Sequence, residues 1–432
     1  MIAACQCDWK FNTIKNQYHY NSYFYMFAIP WGDGHLRACS AVLWALPLAA
    51  ALTACGGGAS SSQGGGDTAS GSLSVVAALG QKIFQDPSLS ASGRQSCASC
   101  HNTASAHAPP NDLAAQLGGP GLDQQGGRLS PTIRYLAANK AFFFAADGTP
   151  TGGFFWDGRA SSLQDQAGKP FLNPVEMANA NKAEVVGRLA AASYAGEFRR
   201  VFGDAVLGDV DGAFQRMTLA LQQYQLEDPD FRPYSSKYDA FLLGKTTLST
   251  QELRGLALFN SPAKGNCIAC HPSGRGTDGS LPLFTDFSYD NLGVPRNPEL
   301  KQNNDPAFYD LGLCAREGGD LATRADLCGL FKVPTLRNVA LRHAYFHNGR
   351  FKTLKDVLAF YVQRDTNPEK WYPVNADGSV QKFNDLPERY RGNVNMTEGP
   401  YNRKPGAAPA LSDDEINDVI AFLKTLSDGY QP

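Results

Sequence analysis

Cys97-Ala98-Ser99-Cys100-His101 and Cys267-Ile268-Ala269-Cys270-His271 are two copies of C-x-x-C-H in one chain. This spacing serves covalent haem attachment: the two thiols form thioethers to the porphyrin and the His becomes the proximal iron ligand. The alternative is a redox C-x-x-C or half of a zinc site. The His follows immediately in both copies and no βαβ pattern surrounds either, so haem c is the better reading, with His101 and His271 as proximal ligands.

A chain of 432 residues has room for about two or three domains. Its net charge of −2 and lack of a basic run give no sign of nucleic-acid binding. Residues 1–54 read as an N-terminal extension and signal segment rather than fold material. Arg37 precedes the apolar run Ala41 to Ala51, which is too short to span a bilayer. The run ends in Leu52-Thr53-Ala54-Cys55 before three glycines, which looks like a bacterial lipoprotein signal with Cys55 as the lipidated residue. A plain secretory signal cut nearby is the alternative. Residues 55–72 are Gly/Ser-rich and read as a tether. The expected location is periplasmic, with membrane contact only through an outer-membrane lipid anchor. Cys314 and Cys328 suit a disulfide in that oxidising compartment, although spacing alone leaves two free thiols open.

The chain repeats itself in three ordered pieces. Gly80-x-x-Ile83-Phe84-x-x-Pro87 matches Gly255-x-x-Leu258-Phe259-x-x-Pro262; Pro131-Thr132-Ile133-Arg134 matches Pro334-Thr335-Leu336-Arg337. Phe155-Trp156-Asp157-Gly158-Arg159, with Leu163 and Asp165, matches Phe346-His347-Asn348-Gly349-Arg350, with Leu354 and Asp356. Ordered self-similarity at long period implies two copies of one structural unit. Helices are expected over Asn181 to Ala192 and Ala213 to Tyr224, after the capping box Ser249-Thr250-Gln251-Glu252, over Thr353 to Tyr361, and from Ser412 toward Gly429. The reading is a mostly α chain of two tandem cytochrome c-like domains, 73–245 and 246–432, each with one covalent haem and long loops. The haems would supply core that short helices alone could not.

Between the haem motifs lie Phe155-Trp156-Asp157-Gly158-Arg159, then Gln166-Ala167, then Asn173-Pro174-Val175-Glu176-Met177. This order resembles the bacterial di-haem cytochrome c peroxidase and MauG family, over Leu73 to Tyr430. Trp156 lies 20 residues before Glu176, and Gln166 lies 10 before it. The resemblance implies that Glu176 moves a proton during peroxide cleavage at the first haem, that Gln166 orients peroxide or water, and that Trp156 relays electrons between haems. Bland readings stand beside these: a surface carboxylate for Glu176 and a core indole for Trp156.

Family peroxidases use a Met as sixth ligand of the second haem. The corresponding helix here has none, and Tyr361 stands at that position. This resembles the MauG-like variant, in which an anionic phenolate favours the higher oxidation states of iron. Tyr345 is a rival ligand, and Tyr361 could be an ordinary half-buried helix Tyr. His107 is a candidate cap for the first haem or a plain loop His. His343 and His347 read as structural or propionate-contacting. The family also implies a Ca²⁺ between the domains, with Arg342 and Ala344 carbonyls as candidate ligands; the expected Asn position is Tyr135.

The implied activity is an exported peroxidase that reacts with hydrogen peroxide at the N-terminal haem and exchanges electrons through the C-terminal one. The electrons would come from a small cytochrome or from a protein substrate that is oxidised. Tyr361 and the tail around Asp385 to Val394 and Tyr401-Asn402-Arg403 favour the second. The competing reading is a non-catalytic di-haem electron-transfer cytochrome.

Overall fold

The computed structural model describes residues 72–431, so Cys55, the signal segment and the tether up to residue 71 lie outside the described residues. Ten helices are described, joined by long loops: α1 (Val75–Gln85), α2 (Cys97–Cys100), α3 (Leu163–Leu172), α4 (Lys182–Ala191), α5 (Ala195–Phe202), α6 (Val210–Glu227), α7 (Lys237–Leu242), α8 (Thr250–Asn260), α9 (Leu354–Gln363) and α10 (Asp413–Lys424). Among the described residues, strand structure is confined to three two-stranded antiparallel pairs: Leu117–Gly118 with Gln124–Gln125, Phe143–Phe144 with Pro150–Thr151, and Tyr289–Asp290 with Phe331–Lys332. No described helix is long and apolar enough to cross a membrane.

The expected helices are present, with small shifts. Asn181 is the N-cap of α4 rather than its first residue, and α6 extends the expected span at both ends. The expected capping box forms at Ser249, and a second forms at Ser412. The last helix stops at Lys424, short of Gly429; Leu426 lies beyond its end yet is 1% exposed. There the chain turns back, and Asp428 accepts hydrogen bonds from Tyr135 at 2.7 Å and Asn338 at 2.6 Å.

Two large apolar clusters form. One is built from Leu79, Ile83, Phe84, Phe171, Phe198, Met217 and their neighbours, all before residue 232. The other gathers Phe259, Phe284, Phe360, Ile416, Val419 and Phe422. The duplicated glycine explains how each is closed. Helix α1 crosses α6, and α8 crosses α10. A Cβ on Gly80 would sit 2.0 Å from the Ala220 carbonyl oxygen, and one on Gly255 would sit 2.0 Å from that of Asp418. Only glycine permits backbones to approach that closely. The same crossing is therefore built twice, with the aromatic at the end of each motif, Phe84 or Phe259, packed beneath it.

Candidate active site

Each C-x-x-C-H opens onto its own cavity. The N-terminal cavity, about 610 Å³, is lined by Cys97, Cys100 and His101; the C-terminal one, about 190 Å³, by Cys267, Cys270 and His271. The four cysteines are free thiols and burial pushes them up, Cys97 and Cys267 to about 12 and Cys100 to about 11. All four are half-buried and line the cavities, placed where thioethers to a porphyrin would form.

The proximal histidines are held by one device used twice. His101 Nδ1 donates to the His107 carbonyl at 3.2 Å, and His271 Nδ1 donates to the Phe284 carbonyl at 2.7 Å. Both acceptor residues have positive φ, 52° and 54°. The Pro-Thr-x-Arg repeat fixes these carbonyls. Ile133 N donates to His107 O and Leu336 N to Phe284 O. Thr132 Oγ1 donates to the Ala106 carbonyl at 2.7 Å, and Thr335 Oγ1 to that of Leu283 at 2.6 Å. Pinning Nδ1 leaves Nε2 as the ligating atom, the arrangement seen in His-metal sites generally. Burial lowers His101 to about 4 and also lowers His271, so both rings stay neutral and able to ligate. The residues present thus fit two haems c, which Cys97, Cys100, Cys267 and Cys270 would hold and to which His101 and His271 would be the proximal ligands.

This geometry decides His107. Its backbone supports His101, while its own ring bonds Asp230 at 2.8 Å and stacks on Phe231 at 4.2 Å. It is 1% exposed and does not line the N-terminal cavity. His107 is the counterpart of Phe284, its carbonyl positioning the His101 ring while its own ring is engaged elsewhere. His343 is exposed; His347 is buried and stacked on Phe331 at 3.5 Å, lining the C-terminal cavity.

Glu176, Gln166 and Trp156 all line the N-terminal cavity. Gln166 projects from α3, whose N-cap is Ser162. Glu176 sits in the turn after α3, its Oε1 accepting from Asn173 Nδ2 at 2.9 Å. Burial raises the Glu176 carboxyl, opposed by the Arg159 charge and the Asn173 amide. Trp156 alone of the three also lines the C-terminal cavity, so its indole lies against both. Its Nε1 donates to the Leu129 carbonyl at 2.7 Å. The neighbouring Arg128 forks between Asp310, at 2.6 and 2.7 Å, and Asp157, at 2.7 Å. Burial alone would raise Asp310, yet the Arg128 charge pulls it down to about 2. Arg128, Asp157 and Asp310 form a charged strut beside Trp156, and no local pattern links residues 182 apart in sequence.

Tyr361 lines the C-terminal cavity from α9. Burial, and to a lesser extent the carboxylate of Asp290, raises its phenol. A phenolate there needs a cation beside it, which a ferric ion would supply. The rival Tyr345 also borders this cavity, but its hydroxyl donates to the Arg342 carbonyl at 2.9 Å and is thereby engaged. Sequence reasoning read Tyr401 only as part of the C-terminal tail and gave it no place at a haem. It lines the same cavity, with its ring 5.9 Å from that of Tyr361. The duplication carries a further signal. Asp165 and Asp356 are equivalent and 191 residues apart, so Tyr361 corresponds to Pro170. Pro170 lines the N-terminal cavity and has no atom that can bind iron. One copy therefore presents a phenol where the other presents a bare ring.

Cys314 and Cys328 are disulfide-bonded, with Cα atoms 4.8 Å apart. Among the described residues, the one cluster of three His, Cys, Asp or Glu side chains close enough to share an ion is Cys270, Asp290 and Glu398. Cys270 belongs to the second haem motif, so this is not the expected Ca²⁺ site.

Comparison with known proteins agrees with this geometry. Residues 74–247 match the family model described as di-haem cytochrome c peroxidase. The chain is 36% identical to the methylamine utilization protein MauG of Paracoccus denitrificans, covering 83% of this chain and 90% of that one. It is 32% identical to the cytochrome c551 peroxidase of Nitrosomonas europaea, covering 83% and 81%. Among solved structures it is similar to the diheme peroxidase BthA from Burkholderia thailandensis E264, at 39% identity and TM-score 0.74, covering 82% and 86%. That family carries two haems c, and its members are oxidoreductases. With a cavity at each C-x-x-C-H motif and identity of this extent along most of its length, the chain belongs to the di-haem cytochrome c peroxidase family.

Proposed function

We propose that this protein is a peroxidase that takes hydrogen peroxide into the N-terminal cavity and draws electrons through the C-terminal one, from a protein partner in the manner of MauG-like relatives. The observation that carries this is the division of labour between the cavities. Glu176, Gln166 and Pro170 face one, Tyr361 faces the other, and Trp156 lies against both.

When bound, the haems supply the iron that meets peroxide and stores the oxidising equivalents. The chain supplies the rest. Glu176 takes the proton from the near oxygen of the peroxide and returns it to the departing oxygen, which leaves as water. Burial lifts its carboxyl toward the protonated form while Arg159 and Asn173 hold it from going far, which suits a group that must both accept and give a proton. The Gln166 amide, on the adjacent helix, orients the substrate. Trp156, held by the Leu129 carbonyl, carries oxidising equivalents between the sites. The non-catalytic alternative needs protein ligands on both irons, and Pro170 at the first site speaks against it.

The apolar segment before Cys55 and the Cys314–Cys328 disulfide support a periplasmic setting, which cell fractionation checks. A Ca²⁺ ion on the Arg342 and Ala344 carbonyls belongs to the same reading. The Arg342 carbonyl already accepts the Tyr345 hydroxyl, so chelation of such an ion would leave that hydrogen bond in place.

The test is carbon monoxide binding to the fully reduced protein, after a pyridine haemochrome assay has counted the haems. The expected result is two haems per chain and one bound CO. Two haems with no CO bound would support the electron carrier instead.

A further inference from the structure

We propose that the disulfide-closed segment from Cys314 to Cys328 is a strap that makes the N-terminal cavity selective for small hydroperoxides over bulky organic ones. This rests on the reading that a hydroperoxide enters that cavity.

The segment belongs to the C-terminal half of the chain, yet Ala315 and Glu317 line the N-terminal cavity. The Glu317 side chain is 64% exposed, which puts it at the rim. Its carboxylate meets Lys169 Nζ at 3.0 Å and Arg159 Nε at 3.9 Å. Lys169 is on α3, one turn from Gln166, and Arg159 is itself a cavity wall. The next residue back, Arg316, donates to the Gly158 carbonyl at 3.4 Å and lies 4.0 Å from the Phe142 ring centre. The strap thus crosses the Trp156-Asp157-Gly158-Arg159 turn and reaches the helix bearing Gln166.

What holds it there is its base. Exposed ion pairs contribute little on their own. Leu313, Cys314, Leu327 and Cys328 are buried in a small cluster with Tyr289, and the disulfide closes the segment on itself. A closed loop samples far fewer open arrangements than a free one. Ala315 and Glu317 are exposed and sit above this buried base, so removing their side chains would widen the opening without emptying the core. Hydrogen peroxide passes a narrow rim; a substituent several carbons wide must displace Glu317 and Ala315. Size exclusion of this kind works through contacts at the wall rather than at the reacting atoms.

The experiment uses the di-haem protein as wild type, Glu317→Ala, and Cys314→Ser with Cys328→Ser. Haem spectra report binding of cyanide and of 4-phenylimidazole, and rapid mixing reports reaction with hydrogen peroxide and cumene hydroperoxide. In the variants the bulky ligand and the bulky peroxide are expected to gain about tenfold, while cyanide and hydrogen peroxide stay within about twofold. An unchanged bulky-to-small ratio in Glu317→Ala overturns the strap whether or not the disulfide variant folds. A wild type that discriminates by size neither in binding nor in rate does so too. If the wild type reacts with no peroxide at all, it is the peroxidase reading that has failed, and the strap's role with it.

Discussion

Glu176→Gln is expected to load two haems normally and to react with hydrogen peroxide about 10²–10⁴-fold more slowly than wild type, the usual cost of losing a positioned acid–base group. The amide keeps the shape of the side chain and can still meet Asn173, which bonds Oε1 in wild type. It cannot take up a proton and give it back. Cyanide binding at the first haem should change little, because the opening and the proximal bond from His101 to the His107 carbonyl are untouched. Stopped-flow spectra recorded over a range of pH provide the check. A peroxide rate equal to wild type would leave Glu176 as a buried carboxylate with no part in the chemistry.

Tyr361→Phe is expected to abolish the low-spin signal of the second haem and to leave that of the first intact. Axial ligands move haem potentials over a range of about 0.8 V, so loss of an anionic oxygen should raise the second haem's potential by on the order of 0.1 V. Electron paramagnetic resonance and spectroelectrochemistry read both. The ring's packing against Phe346, at 5.7 Å, survives the substitution, so the fold should hold. If the spectrum does not change, the ligand is elsewhere. Tyr401 is then the first place to look, since it borders the same cavity, whereas the Tyr345 hydroxyl is engaged by the Arg342 carbonyl.

Much of this was legible in the residues because the duplicated motifs are local. Gly80 and Gly255 mark helix crossings, and a glycine in a helical pattern is visible without a structure. The haem motifs and the capping boxes are equally short-range. Pro-Thr-x-Arg could be seen as repeated but not understood, since its work is to hold a carbonyl 26 or 52 residues away in sequence. His107 was ambiguous for the same reason. Its role lies in its backbone, and its ring is satisfied by Asp230, 123 residues on. Arg128, Asp157 and Asp310 come together only when the halves fold against each other. The correspondence of Pro170 with Tyr361 needed no structure for its detection, only the register of the third repeat; the cavities are what give it meaning.

The central claim is that Trp156 joins two unlike haem sites, one that meets peroxide and one that stores and passes on its oxidising power. The most direct test is to mix hydrogen peroxide rapidly with wild type and with Trp156→Phe, and to follow the spectra of the two haems separately. Phenylalanine fills part of the indole's place but lacks the Nε1 that bonds Leu129 and is far harder to oxidise. Both haem spectra are expected to change together in wild type. In Trp156→Phe the first haem should respond at an undiminished rate while the second stays as it was. A second haem that responds as fast in the variant as in wild type would contradict it.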